Sequence, residues 1–235
     1  HLYRSNKNSD KEVYSYVVLN PLAKPGRLVV AASLAGKASL SAQVASTLSV
    51  EHFVEGICDY FESGSENIGE EKSLKALEAA FKNSNSSVYS FGHKLAAGGR
   101  MSTSLTGFVI DDTLAAAGRV GSGGAYLFRR GELFSFFSSS DSDIPPGGKP
   151  LLGSHRMVAV ELASVPLQGK DFLIITSHQL NRDEEIKLAQ LIENCNGHLA
   201  NQLESLFSIS EQISYGLVVE LGPESIYLST SEEVI

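Results

Sequence analysis

The chain has 235 residues, a length that suits one large α/β domain, and 43% of them are apolar, enough to bury a sizeable core. It carries 27 Asp and Glu against 19 Lys and Arg, a net charge of −8, with no basic run longer than Arg129-Arg130. That balance argues against a nucleic-acid binder, which needs clustered cations against phosphate, and no run of about 18 apolar residues offers a membrane span.

In chain order, Tyr14 to Leu19 and Arg27 to Ala32 read as two strands of a hairpin, with the Pro/Gly-rich segment between them as the turn. Ser41 to Phe61 reads as a helix, with Val44, Ala45, Leu48, Phe53, Val54, Ile57 and Phe61 near a 3.6-residue period. Glu70 to Phe91 is a second helix, with Leu74, Leu77, Phe81, Val88 and Phe91 on one side. Thr103–Ile110, Leu114–Val120, Ala125–Arg129 and Leu133–Phe137 follow as a meander of short antiparallel strands. Ser138 to Pro150 is polar and rich in Pro and Gly, and a mobile loop is expected over 138–155. Arg156–Leu162 and Phe172–Thr176 are further strands. Asn181 or Asp183 caps a helix running through Asn194, with Gly197 as its stop, and His198 to Phe207 continues as helix. Tyr215–Leu221 and Ser225–Leu228 close the chain as strands. The order is not alternating βαβ, so an antiparallel α+β fold in one domain spanning 1–235 is favoured. Cys58 and Cys195 lie in helix-like patterns without a histidine partner or zinc spacing. They read as buried free thiols in a reducing compartment, consistent with a cytoplasmic location.

Several segments together resemble the type 2C (PPM) metal-dependent Ser/Thr protein phosphatases. That family's second motif typically reads Val-Val-Ala-Asp-Gly-Met-Gly-Gly-His before a helix. Here Val29-Val30-Ala31-Ala32-Ser33-Leu34-Ala35-Gly36-Lys37 stands in that place. The family's Val-Gly-Asp-Ser-Arg-Ala-Tyr-Leu is matched by Val120-Gly121-Ser122-Gly123-Gly124-Ala125-Tyr126-Leu127, followed by Arg130-Gly131-Glu132-Leu133. The pattern Gly-Asp, apolar strand, Ser-Asp-Gly-Leu is matched from Gly169 to Leu180, with His178 in the aspartate position. The closing Asp-Asn-Ile-Thr corresponds to Glu211-Gln212-Ile213-Ser214, and the first-motif Asn-x-Asp falls at Asn8-Ser9-Asp10. The resemblance covers about Asn8 to Val219. It implies a four-layer α-β-β-α sandwich, two antiparallel sheets flanked by helix pairs, with the family's flap shortened to the 138–155 loop.

The resemblance also implies what has been lost. A type 2C enzyme holds two Mg²⁺ or Mn²⁺ ions with carboxylates and water, and those ions generate the nucleophile and clamp the phosphate. Among the vestigial positions Asp10, Ala32, Ser33, Ser122, His178 and Glu211, the metal-bridging aspartate has become Ala32, and the glycine whose carbonyl follows it is Ser33. Ser122 removes another carboxylate, and His178 offers an imidazole that suits Zn²⁺ better than Mg²⁺. Asp10, His178 and Glu211 are the remaining candidates for a single metal. The expectation is a pseudophosphatase with no catalytic residues and no Mg/Mn cofactor, binding a protein partner in Ser/Thr phosphorylation signalling. A weak or altered metal-dependent phosphatase is one alternative, and a phosphopeptide or small-ligand reader using the vestigial cleft is another. Gly124, where the family has arginine, weighs against the reader.

Overall fold

The computed structural model describes residues 2–4, 12–19, 28–36, 39–62, 69–94, 101–111, 113–138, 149–195, 205, 207, 209–210, 213 and 215–221. They form ten strands and three helices, in the order β1 (Leu2–Arg4), β2 (Glu12–Leu19), β3 (Leu28–Gly36), α1 (Leu40–Glu62), α2 (Glu70–Lys94), β4 (Ser104–Ile110), β5 (Leu114–Val120), β6 (Gly124–Arg129), β7 (Glu132–Ser135), β8 (Glu161–Pro166), β9 (Phe172–Thr176), α3 (Arg182–Asn194) and β10 (Tyr215–Glu220). The strands make two five-stranded antiparallel sheets, β2-β3-β4-β5-β8 and β1-β10-β9-β6-β7.

Alternation of side chains along the strands separates three apolar layers. Val29, Leu105, Val109, Ala116 and Val120 pack against Phe53, Ile57, Leu77, Ala80 and Phe81 of α1 and α2. Phe108, Ala115 and Ala117 meet Ala125, Leu127, Leu173, Ile175, Tyr215 and Leu217 between the sheets. On the far face Tyr126, Phe128, Ile174 and Val218 receive Leu188, Ala189 and Ile192 of α3. The architecture is the expected α+β sandwich of two antiparallel sheets with helices outside. The expected companion of α3 at 198–207 lies, apart from residues 205 and 207, outside the described residues, as does the strand expected over Ser225–Leu228.

The α1–α2 contact buries serines as well as apolar groups, and Ser49 and Ser84 bond to carbonyls inside the layer. Ser84 donates to the Ser49 carbonyl at 2.8 Å and the Ala80 carbonyl at 2.9 Å, and Ser49 donates to the Ser46 carbonyl at 2.8 Å. Small residues there let the helices approach closely. Phe91, expected on the buried side of α2, is exposed instead. Helix α2 runs on to Lys94, with Glu70 and Glu71 in its first turn and His93 and Lys94 in its last, matching the helix dipole at both ends.

Two expectations are corrected. The four strands after α2 are not one meander: β4 and β5 lie in one sheet, β6 and β7 in the other, because the short turn at Gly121–Gly123 carries the chain across the sandwich. The strand expected over Arg156–Leu162 begins only at Glu161 and extends to Pro166. Asn85 of α2, itself buried, explains the delay. Its Oδ1 accepts from the Gly153 N–H at 2.9 Å, and its Nδ2 donates to the His155 and Arg156 carbonyls at 3.1 Å each. Leu152 is fully buried and bridges Thr103 through two backbone hydrogen bonds. Residues 151–156 are therefore pinned to α2 and β4, so the C-terminal part of the expected 138–155 loop is not loose. Residues 139–148 lie outside the described set.

Candidate functional site

The sequence-derived positions converge, where described, on one end of the sandwich. Backbone pairing sets a row across the first sheet: Tyr16 opposite Ala32, Ala32 opposite Thr106, Thr106 opposite Arg119, and Arg119 opposite Glu161. Ser33 follows on β3, opposite Leu105. Ser122 lies in the β5–β6 turn, three residues beyond Arg119, and is exposed. His178 follows β9, whose last residue Thr176 is opposite both Gly124 and Gly216. Asp10 and Glu211 lie outside the described residues, so the candidate metal trio of Asp10, His178 and Glu211 is represented by His178 alone.

The residue that organises this end is Arg119, which nothing in the motif pattern singles out. Its side chain is fully buried on β5. Its Nε donates to Glu161 Oε1 at 3.1 Å, and Nη2 donates to Glu161 Oε2, a bidentate pair. Its Nη1 donates to the Gly123 carbonyl at 3.1 Å and to Gln179 Oε1. The guanidinium carbon lies 4.4 Å from the centre of the Phe137 ring, and Gln179 Nε2 donates to the Phe137 carbonyl at 3.0 Å. Arg119 thus ties the first sheet to the β5–β6 turn and to the segment after β9, beside Ser122 and His178. The cost of burying its charge is offset by acceptors for four of its five N–H donors. Glu161 is 43% exposed and takes a second cation, Lys149 Nζ, at 3.6 Å.

Beside Arg119 in the row, the Thr106 hydroxyl is buried, 1% of the residue being exposed, and has no hydrogen-bond partner among the described residues. A Cβ on Gly123 would overlap this hydroxyl. Gly121 has φ +95°, a conformation natural to glycine, which accounts for its retention in the turn. Gly124 is fixed by packing: a Cβ there would overlap Thr176 Oγ1 and lie 2.7 Å from the Tyr126 hydroxyl. That hydroxyl is itself committed, accepting from the Leu180 N–H at 2.6 Å, and burial pushes the phenol far above its ordinary pKa. Thr176 and Tyr126 thus leave no room for a side chain at Gly124.

His178 sits against the start of α3, its Nε2 4.0 Å from Glu184 Oε2, and its carbonyl accepts from Thr176 Oγ1 at 2.6 Å. Glu184 is half of a capping box: Asn181 Oδ1 accepts from the Glu184 N–H at 3.0 Å, and Glu184 Oε2 accepts from the Asn181 N–H at 2.9 Å. The sequence reading of Asn181 as the cap is met. At the opposite end of the sandwich, buried Asp171 forms a second bidentate pair, accepting from Arg129 Nε at 2.9 Å and Nη2 at 2.6 Å. Cys58 and Cys195 are free thiols, as expected; Cys195 is buried, whereas Cys58 is only half-buried, and burial raises the pKa of each.

The described residues do not fit a pair of hard divalent ions. Alanine offers no donor at the bridging position, and Ser122 brings a neutral hydroxyl. No three His, Cys, Asp or Glu side chains converge among the described residues, and a fixed guanidinium stands in the same row.

No protein-family model matches the chain, and no curated protein matches it in sequence. Solved structures do. The Mycobacterium tuberculosis serine/threonine phosphatase PstP superposes with a TM-score of 0.62 at 16% identity, over 90% of this chain and 99% of that one. A bacterial serine phosphatase gives 0.73 at 14% identity, over 96% and 98%. The chain has the fold of the type 2C Ser/Thr phosphatases. Staphylococcus aureus Stp1 gives 0.70 at 13% identity, over 94% and 93%. The PstP catalytic domain has also been solved in complex with two manganese ions, with a TM-score of 0.61 at 16% identity over 90% of this chain.

Proposed function

We infer that this is a non-catalytic type 2C phosphatase-like domain that acts by binding a protein partner, in the setting of Ser/Thr phosphorylation signalling. The observation that carries the reading is the row Ala32–Thr106–Arg119–Glu161. At the level where the resemblance puts the metal-bridging carboxylate, the row supplies a methyl group, a neutral hydroxyl and a cation already neutralised by its own glutamate. Two divalent ions would face that cation with fewer carboxylates to offset their mutual repulsion. Without them no group described at this end supplies an activated water, so hydrolysis has no nucleophile.

The phosphopeptide-reader alternative is weakened by the same geometry. Arg119 has its donors turned to Glu161, Gly123 and Gln179, leaving no open fork for phosphate. Purified protein assayed with Mn²⁺ against p-nitrophenyl phosphate and a phosphopeptide is expected to show no turnover above buffer. Turnover that disappears in Asp10→Ala sinks the reading, because Asp10 is, with Glu211, one of the two carboxylates that the resemblance leaves at aligned positions.

A further inference from the structure

We propose that Arg119 is the resident cation of this end of the sandwich: a guanidinium supplied by the chain takes over the cross-linking that bound metal would give, and excludes divalent ions from the site. The proposal rests on the non-catalytic reading and adds a physical agent to it.

Three observations carry the argument. The first is connectivity. Arg119 begins on β5 of one sheet and bonds the Gly123 carbonyl on the turn into β6 and the Gln179 side chain just after β9, both on the way into or out of the other sheet. A metal held by carboxylates from several strand ends joins those ends through one centre, and the guanidinium joins them through its planar fork. The second is charge. The substituted positions Ala32 and Ser122 lack the carboxylates of the resemblance, and the carboxylate opposite Arg119, Glu161, is already shared between that guanidinium and Lys149. No carboxylate described there is left uncompensated for a divalent ion. The third is rigidity. Phe137 covers one face of the guanidinium, and Gln179 is held in turn by the Phe137 carbonyl, so the side chain cannot swing out without breaking a network.

The proposal separates from simple ligand loss in one experiment. If loss of carboxylates alone explained the site, restoring them by Ala32→Asp with Ser122→Asp would restore Mn²⁺ binding. If Arg119 blocks the site, restoration also requires its neutralisation. Mn²⁺ titration calorimetry, with Tm measured in Mn²⁺ and in EDTA, is run on wild type, on Ala32→Asp/Ser122→Asp, and on that pair combined with Arg119→Gln/Glu161→Gln. The two glutamines remove both charges together and leave no lone buried ion. We expect no saturable Mn²⁺ binding and no Tm shift in the first two proteins, and binding at least about tenfold tighter in the third. Arg119→Lys added to the Ala32→Asp/Ser122→Asp pair keeps the charge and is expected to stay silent. Saturable binding by Ala32→Asp/Ser122→Asp with Arg119 intact, within about twofold of the neutralised variant, overturns the proposal. If the neutralised variant fails to give a cooperative melt, the lysine variant decides, and saturable Mn²⁺ binding there overturns the proposal equally. Mn²⁺ binding with turnover by wild type would instead remove the non-catalytic reading itself.

Discussion

Arg119 holds more of this fold together than any other charged residue described at the candidate site, and its replacement is the sharpest residue-scale test. Arg119→Met strands the Gly123 carbonyl and Gln179 Oε1 and leaves Glu161 without its main partner. Glu161 is partly solvated, so the loss is moderated, and a cost of about 2–4 kcal/mol is expected by urea denaturation. Arg119→Lys should recover part of it. Gly124→Arg puts back the arginine of the family pattern, yet the position has no room: Thr176 and Tyr126 fill it. It is expected to destabilise by roughly 3 kcal/mol or more, with no gain of hydrolysis. The resemblance marks Ala32, Ser122 and His178 in the sequence because each departs from a motif whose apolar frame is kept. Arg119 was not legible, since it occupies an ordinary strand position and its partners lie at distant points of the chain. Only the register that places Glu161 opposite it, and the turn that brings Gly123 under it, give it meaning.

Among the elements, helices and most strands follow the sequence pattern closely, because 3.6-residue and two-residue periods report which face is buried. Helix α1 and strands β5 and β9 are met to within a residue. The failures come where tertiary contacts decide. Residues 156–160 are apolar enough for a strand, but Asn85 takes the backbone polar groups of the approach to β8 and delays the strand to Glu161. Asn85→Ala removes three hydrogen bonds from a buried site and should cost about 2–3 kcal/mol, with faster amide exchange at Gly153 reporting release of the segment. Unchanged exchange there would show that the backbone bridge at Leu152 suffices alone. On α3, burial raises the Glu185 carboxyl above its ordinary value of 4.5, against the opposing bond from Arg182. The native state then binds this proton more readily than the unfolded chain does. Stability contributed by the group therefore falls as pH rises from the unfolded value through the raised folded one. Glu185→Gln is expected to raise Tm at pH 7 and to lose that advantage by about pH 3, where the wild-type group is protonated in both states. An equal gain at both pH values would contradict the burial argument.

For the molecule as a whole, two bidentate arginine–carboxylate pairs stand at opposite ends of the sandwich. Arg129 with Asp171 also reaches the Pro166 carbonyl of the other sheet at 2.7 Å, and Arg119 with Glu161 reaches Gly123 and Gln179. The sheets are thus tied at both ends by groups the chain itself supplies. The architecture was readable from the order of strands and helices, whereas the division of the strands between two sheets was not, because a three-residue turn looks the same whether it closes a hairpin or crosses a sandwich. The most direct test of the central claim is hydrolysis of a phosphopeptide by the purified wild-type protein in Mn²⁺, with Asp10→Ala run beside it. The account predicts phosphate release indistinguishable from buffer for both proteins. Release by wild type that Asp10→Ala abolishes would contradict it.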